Sequence, residues 1–88
     1  MHQVKIKVTG KVQGVYFRDT ARQVAENLEI QGFARNEPDG SVYIEAEGSD
    51  EAIDKFLAWC QEGSREAAVE GIEHTHHEPV GHRGFAIY

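Results

Sequence analysis

Twice along the chain the apolar residues change their spacing from every second position to helical spacing. Val4, Ile6 and Val8 alternate with Lys5, Lys7 and Thr9, which reads as a half-buried strand. Phe17, Ala21, Val24, Ala25 and Leu28 then form one helical stripe, so a helix is expected from Phe17 to about Leu28 or slightly beyond. Phe33 to Asn36 reads as a short strand, and Val42, Ile44 and Ala46 as another. Between them lies Glu37-Pro38-Asp39-Gly40, in which proline presets one turn angle and glycine accepts positive φ. Ile53, Phe56, Leu57 and Cys60 make a second helical stripe, with Ser49 as its N-cap and Gly63 as its stop. Trp59 lies off the centre of that stripe and is expected to be partly buried.

The segment from Ala67 to Glu78 has the weakest pattern; Val69 and Ile72 point to a strand there. Phe85 and Ile87 alternate in a short last strand ending at Tyr88. The order strand–helix–strand–strand–helix–strand, plus a short terminal strand, is the split βαβ or ferredoxin-like α+β pattern. It implies an antiparallel sheet with two helices on one face. With 88 residues and no linker or repeat, the chain is read as a single domain, 1–88.

Charge and cysteine content narrow the function. A net charge of −6 disfavours nonspecific nucleic-acid or anionic-membrane binding, while leaving room for one small anion at a local positive site. No run approaches the roughly 18 apolar residues of a membrane span. Met1-His2-Gln3-Val4-Lys5 lacks the apolar stretch of a signal peptide, so a cytoplasmic location is expected. A monomer is expected too, since no obvious seam is visible. Cys60 is the one cysteine and is read as a buried, inert core thiol.

The sharpest chemical feature is Gly10-Lys11-Val12-Gln13-Gly14-Val15-Tyr16-Phe17-Arg18, a glycine-punctuated junction between strand and helix. Such a junction leaves main-chain N–H groups unpaired at the positive end of the helix dipole, where a nest for phosphate can form. Arg18, in the first helical turn, can grip two phosphate oxygens. The plainer reading is an ordinary β–α turn with a surface arginine. Asn36, before the hairpin turn, can orient a water; it can equally hydrogen-bond the adjoining turn. Asp19 is read as a favourable charge at the helix N-terminus. Lys11 and Arg35 either steer anions or are solvated surface charges. His74, His76, His77 and His82 cluster near the end of the chain. His74 and His76, with His82 or Glu78, could bind a divalent metal, but the reading adopted is a polar edge or loop.

The first motif, Gly10 through Arg18, resembles the first signature of the acylphosphatase family. Gly32-Phe33-Ala34-Arg35-Asn36, followed by Gly40-Ser41-Val42 and Gly48, resembles its second. The resemblance runs from Val4 through Tyr88. It implies that the main-chain amides of Gln13, Gly14, Val15, Tyr16, Phe17 and Arg18 hold a phosphate. It further implies that Arg18 stabilises the transition state and that Asn36 positions the attacking water. The implied substrate is a small acyl phosphate, with inorganic phosphate as product and inhibitor, and with no metal, cofactor or phosphoenzyme. Two features depart from the family pattern. Gly63-Ser64-Arg65 replaces a Gly-Pro-Pro-like turn, and Phe85-Ala86-Ile87-Tyr88 lacks the penultimate arginine of many members. In some members this C-terminal region braces the active-site arginine.

The chemistry suits these parts. An acyl phosphate expels a carboxylate, whose acid has a pKa of about 4–5, so no general acid is required. A stable alkyl monoester would want an acid or a metal, and neither signature holds a histidine, cysteine or carboxylate pair for that work. Two rivals remain: a domain that binds phosphorylated ligands without turnover, and a carbamoyl-phosphate-handling module of a larger enzyme. An RNA-binding domain is disfavoured by the missing aromatic RNP1 pattern, and a copper chaperone by the missing Cys-x-x-Cys. Tyr16 is the one obvious side chain near the site that could touch the acyl group.

Overall fold

A computed structural model describes residues Met1–Tyr88. The chain runs β1 (His2–Lys11), α1 (Phe17–Asn27), β2 (Gln31–Asn36), β3 (Val42–Gly48), α2 (Asp50–Glu62), β4 (Ala68–His77) and β5 (Phe85–Ile87). The strands form one sheet in the order β4-β1-β3-β2-β5. This is the ferredoxin-like arrangement read from the pattern. No helix is long and apolar enough to cross a membrane.

One expectation about the sheet is corrected. It is mixed rather than wholly antiparallel, because β5 pairs with β2 in parallel, Gly32 opposite Phe85 and Ala34 opposite Ile87. A three-residue strand carries no sequence signal of its direction; the crossover from β4 to the far edge of the sheet decides it. The element limits also move. β1 continues through Gly10 and Lys11 by pairing with Val69 and Ala68 of β4, after a register shift at Thr9/Gly10. β2 begins at Gln31, ahead of the expected Phe33. The weakly patterned 67–78 segment contains the long edge strand β4, most of whose residues are exposed.

Alternation puts Val4, Ile6, Val8, Val42, Ile44, Ala46 and Ala34 on the helix-bearing face, all fully buried. They pack with Phe17, Ala21 and Ala25 of α1 and Ile53, Phe56 and Cys60 of α2. Trp59 is half-buried and bridges the helices, 5.0 Å from the Phe17 ring and 6.0 Å from that of Phe56. Burying side chains of this size contributes about 1.5–3 kcal/mol each. Ser49 caps α2 through the Ala52 N–H at 3.2 Å, and Gly63 ends it at φ 75°. Gly32 has φ 147°, and a Cβ there would sit 1.8 Å from the Glu45 main-chain oxygen. Only glycine lets β2 and β3 approach so closely.

Candidate active site

β1 delivers the chain to a short loop that is tied down at alternate points. Val12 and Val15 are buried, 1% and 3% exposed, while Gly14 and Tyr16 face outward. The turn needs positive φ at Gly14 (73°) and at Tyr16 (63°), the residue just before α1. For tyrosine that conformation costs free energy, and such strain concentrates at functional sites. Thr20 steadies it from within α1: its N–H and its hydroxyl both donate to the Tyr16 main-chain oxygen, at 3.1 and 2.9 Å. No side chain caps this helix. As a result the main-chain N–H groups from Gln13 to Arg18 have no protein acceptor. They form an array of donors at the positive end of α1.

Two side chains brace the loop. The buried Ser64 hydroxyl donates to the Val15 main-chain oxygen at 2.7 Å. Ser64 stands where the family pattern has its Gly-Pro-Pro-like turn, so this departure supplies a support of its own. The Gln13 amide nitrogen donates to the main-chain oxygens of Glu37 (2.8 Å) and Ser41 (2.9 Å). That second brace links the loop to the hairpin next to Asn36.

Arg18 is half-buried, and its guanidinium donates through Nη1 to the main-chain oxygen of Tyr88. Arg18 is therefore braced by Tyr88, although the penultimate arginine of the family pattern is missing here. A cavity of about 310 Å³ opens beside it, lined by Val12, Gly14, Tyr16, Phe17, Arg18 and Asp19. Tyr16 is 68% exposed at its lip. Asn36 does not line that cavity. It faces the helix side of the sheet, following Gly32 and Ala34, opposite Val42 at the end where β1 enters the loop. Its Oδ1 is buried with no hydrogen-bond partner in the protein. Such an acceptor costs about 1–3 kcal/mol if left unsatisfied.

The hairpin that carries Asn36 is tightly made. Asp39 accepts from the Ser41 hydroxyl at 2.5 Å and the Ser41 N–H at 2.9 Å, and Lys7 lies 3.1 Å away. Those two hydrogen bonds, then Lys7, pull the Asp39 carboxyl down to about 2. Lys7 and Asp39 line a second hollow, of about 330 Å³, with Glu37, Pro38, Ser41 and Tyr43. Its one cation is neutralised by Asp39 and it holds none of the free amides, so it is the poorer anion site.

The other sequence candidates fall elsewhere. Arg35 is on the helix-free face, paired with Glu37 at 3.1 Å and lying over the Phe33 and Tyr43 rings. Lys11 is exposed. Cys60 is fully buried, and burial pushes its thiol pKa up. The four C-terminal histidines do not converge on one point, although the His76 ring lies 5.1 Å from that of His2. His74 and His76 share the helix-side face of β4, their rings 5.4 Å apart. His77 points to the other face beside Thr75, and His82 meets Glu45 at 3.0 Å. No three His, Cys, Asp or Glu side chains are arranged to hold a metal ion. The braces from Gln13 and Ser64 were missed by sequence reasoning, whereas bracing of the arginine by the C-terminal region was implied by the family resemblance, without naming Tyr88.

The chain was compared with known proteins. The acylphosphatase family model matches residues 4–87. A relative from Rubrobacter xylanophilus, named acylphosphatase, is 46% identical over 87 residues, spanning 97% of this chain and 78% of that one. The crystal structure of acylphosphatase from Bacillus subtilis superposes with a TM-score of 0.97 at 36% identity, covering 100% of this chain and 99% of that one. An acylphosphatase from Coxiella burnetii gives 0.95 at 31% identity, covering 99% and 92%.

Proposed function

This chain belongs to the acylphosphatase family, and from that premise we propose that Arg18 and the Gln13–Arg18 amides hold the phosphate while Asn36 places the water. As a member it is a hydrolase of acid anhydrides, splitting the carboxyl–phosphate bond of acyl phosphates. The observation that carries the assignment of residues is the row of unengaged N–H donors from Gln13 to Arg18, beside a cavity that Arg18 itself lines.

Phosphoryl transfer asks mainly for positioning and charge stabilisation. The amides bind the equatorial phosphate oxygens without any rearrangement. Arg18, already oriented by Tyr88, adds a fixed positive charge that strengthens its hold as negative charge builds up. No protein group engages the Asn36 carboxamide, whose Oδ1 is buried and unpartnered; turned toward the bound phosphate, this amide can hydrogen-bond a water and direct its oxygen lone pair at phosphorus. Attack forms the new P–O bond as the P–O bond to the acyl group breaks. The carboxylate leaves with the bonding electrons and needs no proton. The proton of the attacking water passes to a phosphate oxygen, since no protein base lines the cavity beside Arg18 except Asp19, whose charge a bound phosphate would repel. On this reading no metal takes part.

The test is hydrolysis of benzoyl phosphate in excess EDTA, beside Arg18→Ala and a p-nitrophenyl phosphate control. Chelator-resistant turnover, lost in Arg18→Ala and absent with the control ester, is the expected result. Phosphate binding without turnover would instead make the domain a sensor of phosphorylated ligands. Size-exclusion chromatography checks the accompanying expectation of a monomer.

A further inference from the structure

At the end of the sheet opposite the phosphate loop, Glu47 is 3% exposed, yet it carries a carboxylate. An unpaired charge so buried is costly, and here every partner is a donor. Oε2 accepts from Gln3 Nε2 at 2.9 Å and from the Val80 N–H at 2.7 Å. Oε1 accepts from the N–H groups of Gly81 at 3.1 Å and His82 at 3.0 Å. Three successive main-chain amides thus wrap one carboxylate, the reverse of an anion nest built for a ligand.

Those amides belong to the crossover between β4 and β5. It starts at one edge of the sheet and must reach the other, passing β1, β3 and β2. Glu47 stands on β3, in the middle of that span, with Gln3 beside it on β1. Glu45, two residues earlier on the same face, takes the His82 ring at 3.0 Å. Beyond His82 the Gly84 oxygen accepts from the Gly32 N–H at 2.9 Å, and β5 then runs three residues along β2. The Tyr88 N–H donates to Ala34 O at 2.9 Å, and the Tyr88 oxygen receives Arg18.

We propose that Glu47 is a remote positioning residue for the phosphate site: it pegs the crossover, and the pegged crossover sets where β5 presents the Tyr88 main-chain oxygen to Arg18. This rests on the reading of Arg18 as the residue that grips phosphate. Phe85, 7% exposed and packed against Phe56, holds β5 to the core by apolar contact, and the main-chain bonds of Gly84 and Tyr88 to Gly32 and Ala34 pair the strand with β2. Apolar packing tolerates sliding along the strand; charge-assisted hydrogen bonds to three consecutive amides do not. Glu47 therefore fixes the crossover just ahead of the short β2–β5 ladder, whose three residues carry that placement on to Tyr88.

The test uses the full chain and inorganic phosphate as probe, with Glu47→Gln, removal of Tyr88, and the two combined. Measurements are made where circular dichroism shows each variant folded. Glu47→Gln is expected to speed amide exchange at Val80–His82 and to weaken phosphate binding about 2- to 30-fold, the range for coupling through connected elements. KM should rise in parallel. Removing Tyr88 should add little to the Glu47→Gln loss, because both act on Arg18 through one contact. Wild-type phosphate affinity with opened loop amides, or losses that multiply fully in the double variant, would overturn the proposal. Should Glu47→Gln fail to fold, Glu47→Asp keeps the charge and withdraws it by one methylene. Its expected loss is smaller and in the same direction, and no loss with loosened amides refutes the proposal. If Arg18→Ala keeps wild-type phosphate affinity, the reading of Arg18 fails instead, and this proposal with it.

Discussion

The side-chain amide of Gln13 donates to the main-chain oxygen of Glu37 at 2.8 Å, tying the proposed phosphate loop to the residue that follows Asn36. The same nitrogen reaches Ser41 O at 2.9 Å, so one amide group joins the two ends of the turn between β2 and β3. Gln13→Ala removes both bonds. At about 0.5–1.5 kcal/mol each, we expect a stability loss of about 1–3 kcal/mol in urea unfolding. We also expect kcat to fall more than phosphate affinity, because the loop amides stay while Asn36 loses its fixed distance from them. Steady-state kinetics with phosphate as competitive inhibitor separates the two.

Asn36→Ala should lower kcat about 10²–10³-fold, the usual cost of losing a preorganised polar group in a reacting site. Inorganic phosphate should still bind with near wild-type affinity. Full turnover in this variant would remove Asn36 from the mechanism.

Two glycines with positive φ should respond differently to alanine. At Gly32 (φ 147°) a Cβ would meet the Glu45 oxygen at 1.8 Å, so β2 and β3 must part. Gly32→Ala is expected to cost about 3 kcal/mol or more, as overpacking and strain do at their upper end. At Gly40 (φ 92°) nothing lies within 4 Å, so Gly40→Ala pays for conformation alone, about 1 kcal/mol. Equal losses in thermal unfolding would contradict the close β2–β3 approach.

Cys60 is fully buried and its thiol pKa is raised by that burial. The thiolate is the reactive form. A thiol reagent should therefore label the native protein only as fast as the core opens, and labelling should speed up in urea in step with unfolding. Rapid labelling in buffer would mean that α2 opens locally.

Acid should destabilise the fold as two hydrogen-bonded carboxylates take up protons. Burial alone would push the Glu47 carboxyl up. Its hydrogen bonds from Val80, Gln3, His82 and Gly81 outweigh that and hold it below the ordinary carboxylate range. Asp39 is drawn from 3.8 to about 2 by Ser41, then Lys7. Both folded-state values lie below the unfolded ones, so the unfolded chain takes up protons first as pH falls. The stabilisation is complete above the ordinary carboxylate range and is lost as pH drops through the folded values, down to about 2 for Asp39. Urea unfolding across this range should show the loss. Asp39→Asn and Glu47→Gln should each flatten part of it.

Much of this protein was legible from local pattern. The alternation of Val4, Ile6 and Val8 and the stripe of Phe17, Ala21 and Ala25 mark buried faces of a strand and a helix, because periods of two and 3.6 are properties of neighbouring residues. The 10–18 junction was legible for the same reason. Strand, glycine and helix start lie within one short stretch, and unpaired amides follow from helix geometry alone.

What the tertiary structure decided depends on residues far apart in sequence. The parallel course of β5 follows from the crossover that Glu47 receives, and no three-residue strand announces its direction. Of four histidines close in sequence, His74 and His76 stayed together on one face while His77 and His82 were drawn away, because neighbours on a strand point to opposite faces and the chain then leaves β4 for another edge. Gln13 and Ser64 became braces, and Tyr88 the partner of Arg18 across |i−j| = 70, because folding carried their hydrogen-bonding atoms to carbonyls and a guanidinium that no local rule pairs with them. Residue types and spacing along the chain determined the elements and the anion-binding loop; long-range register determined what holds the loop, the arginine and the asparagine in place.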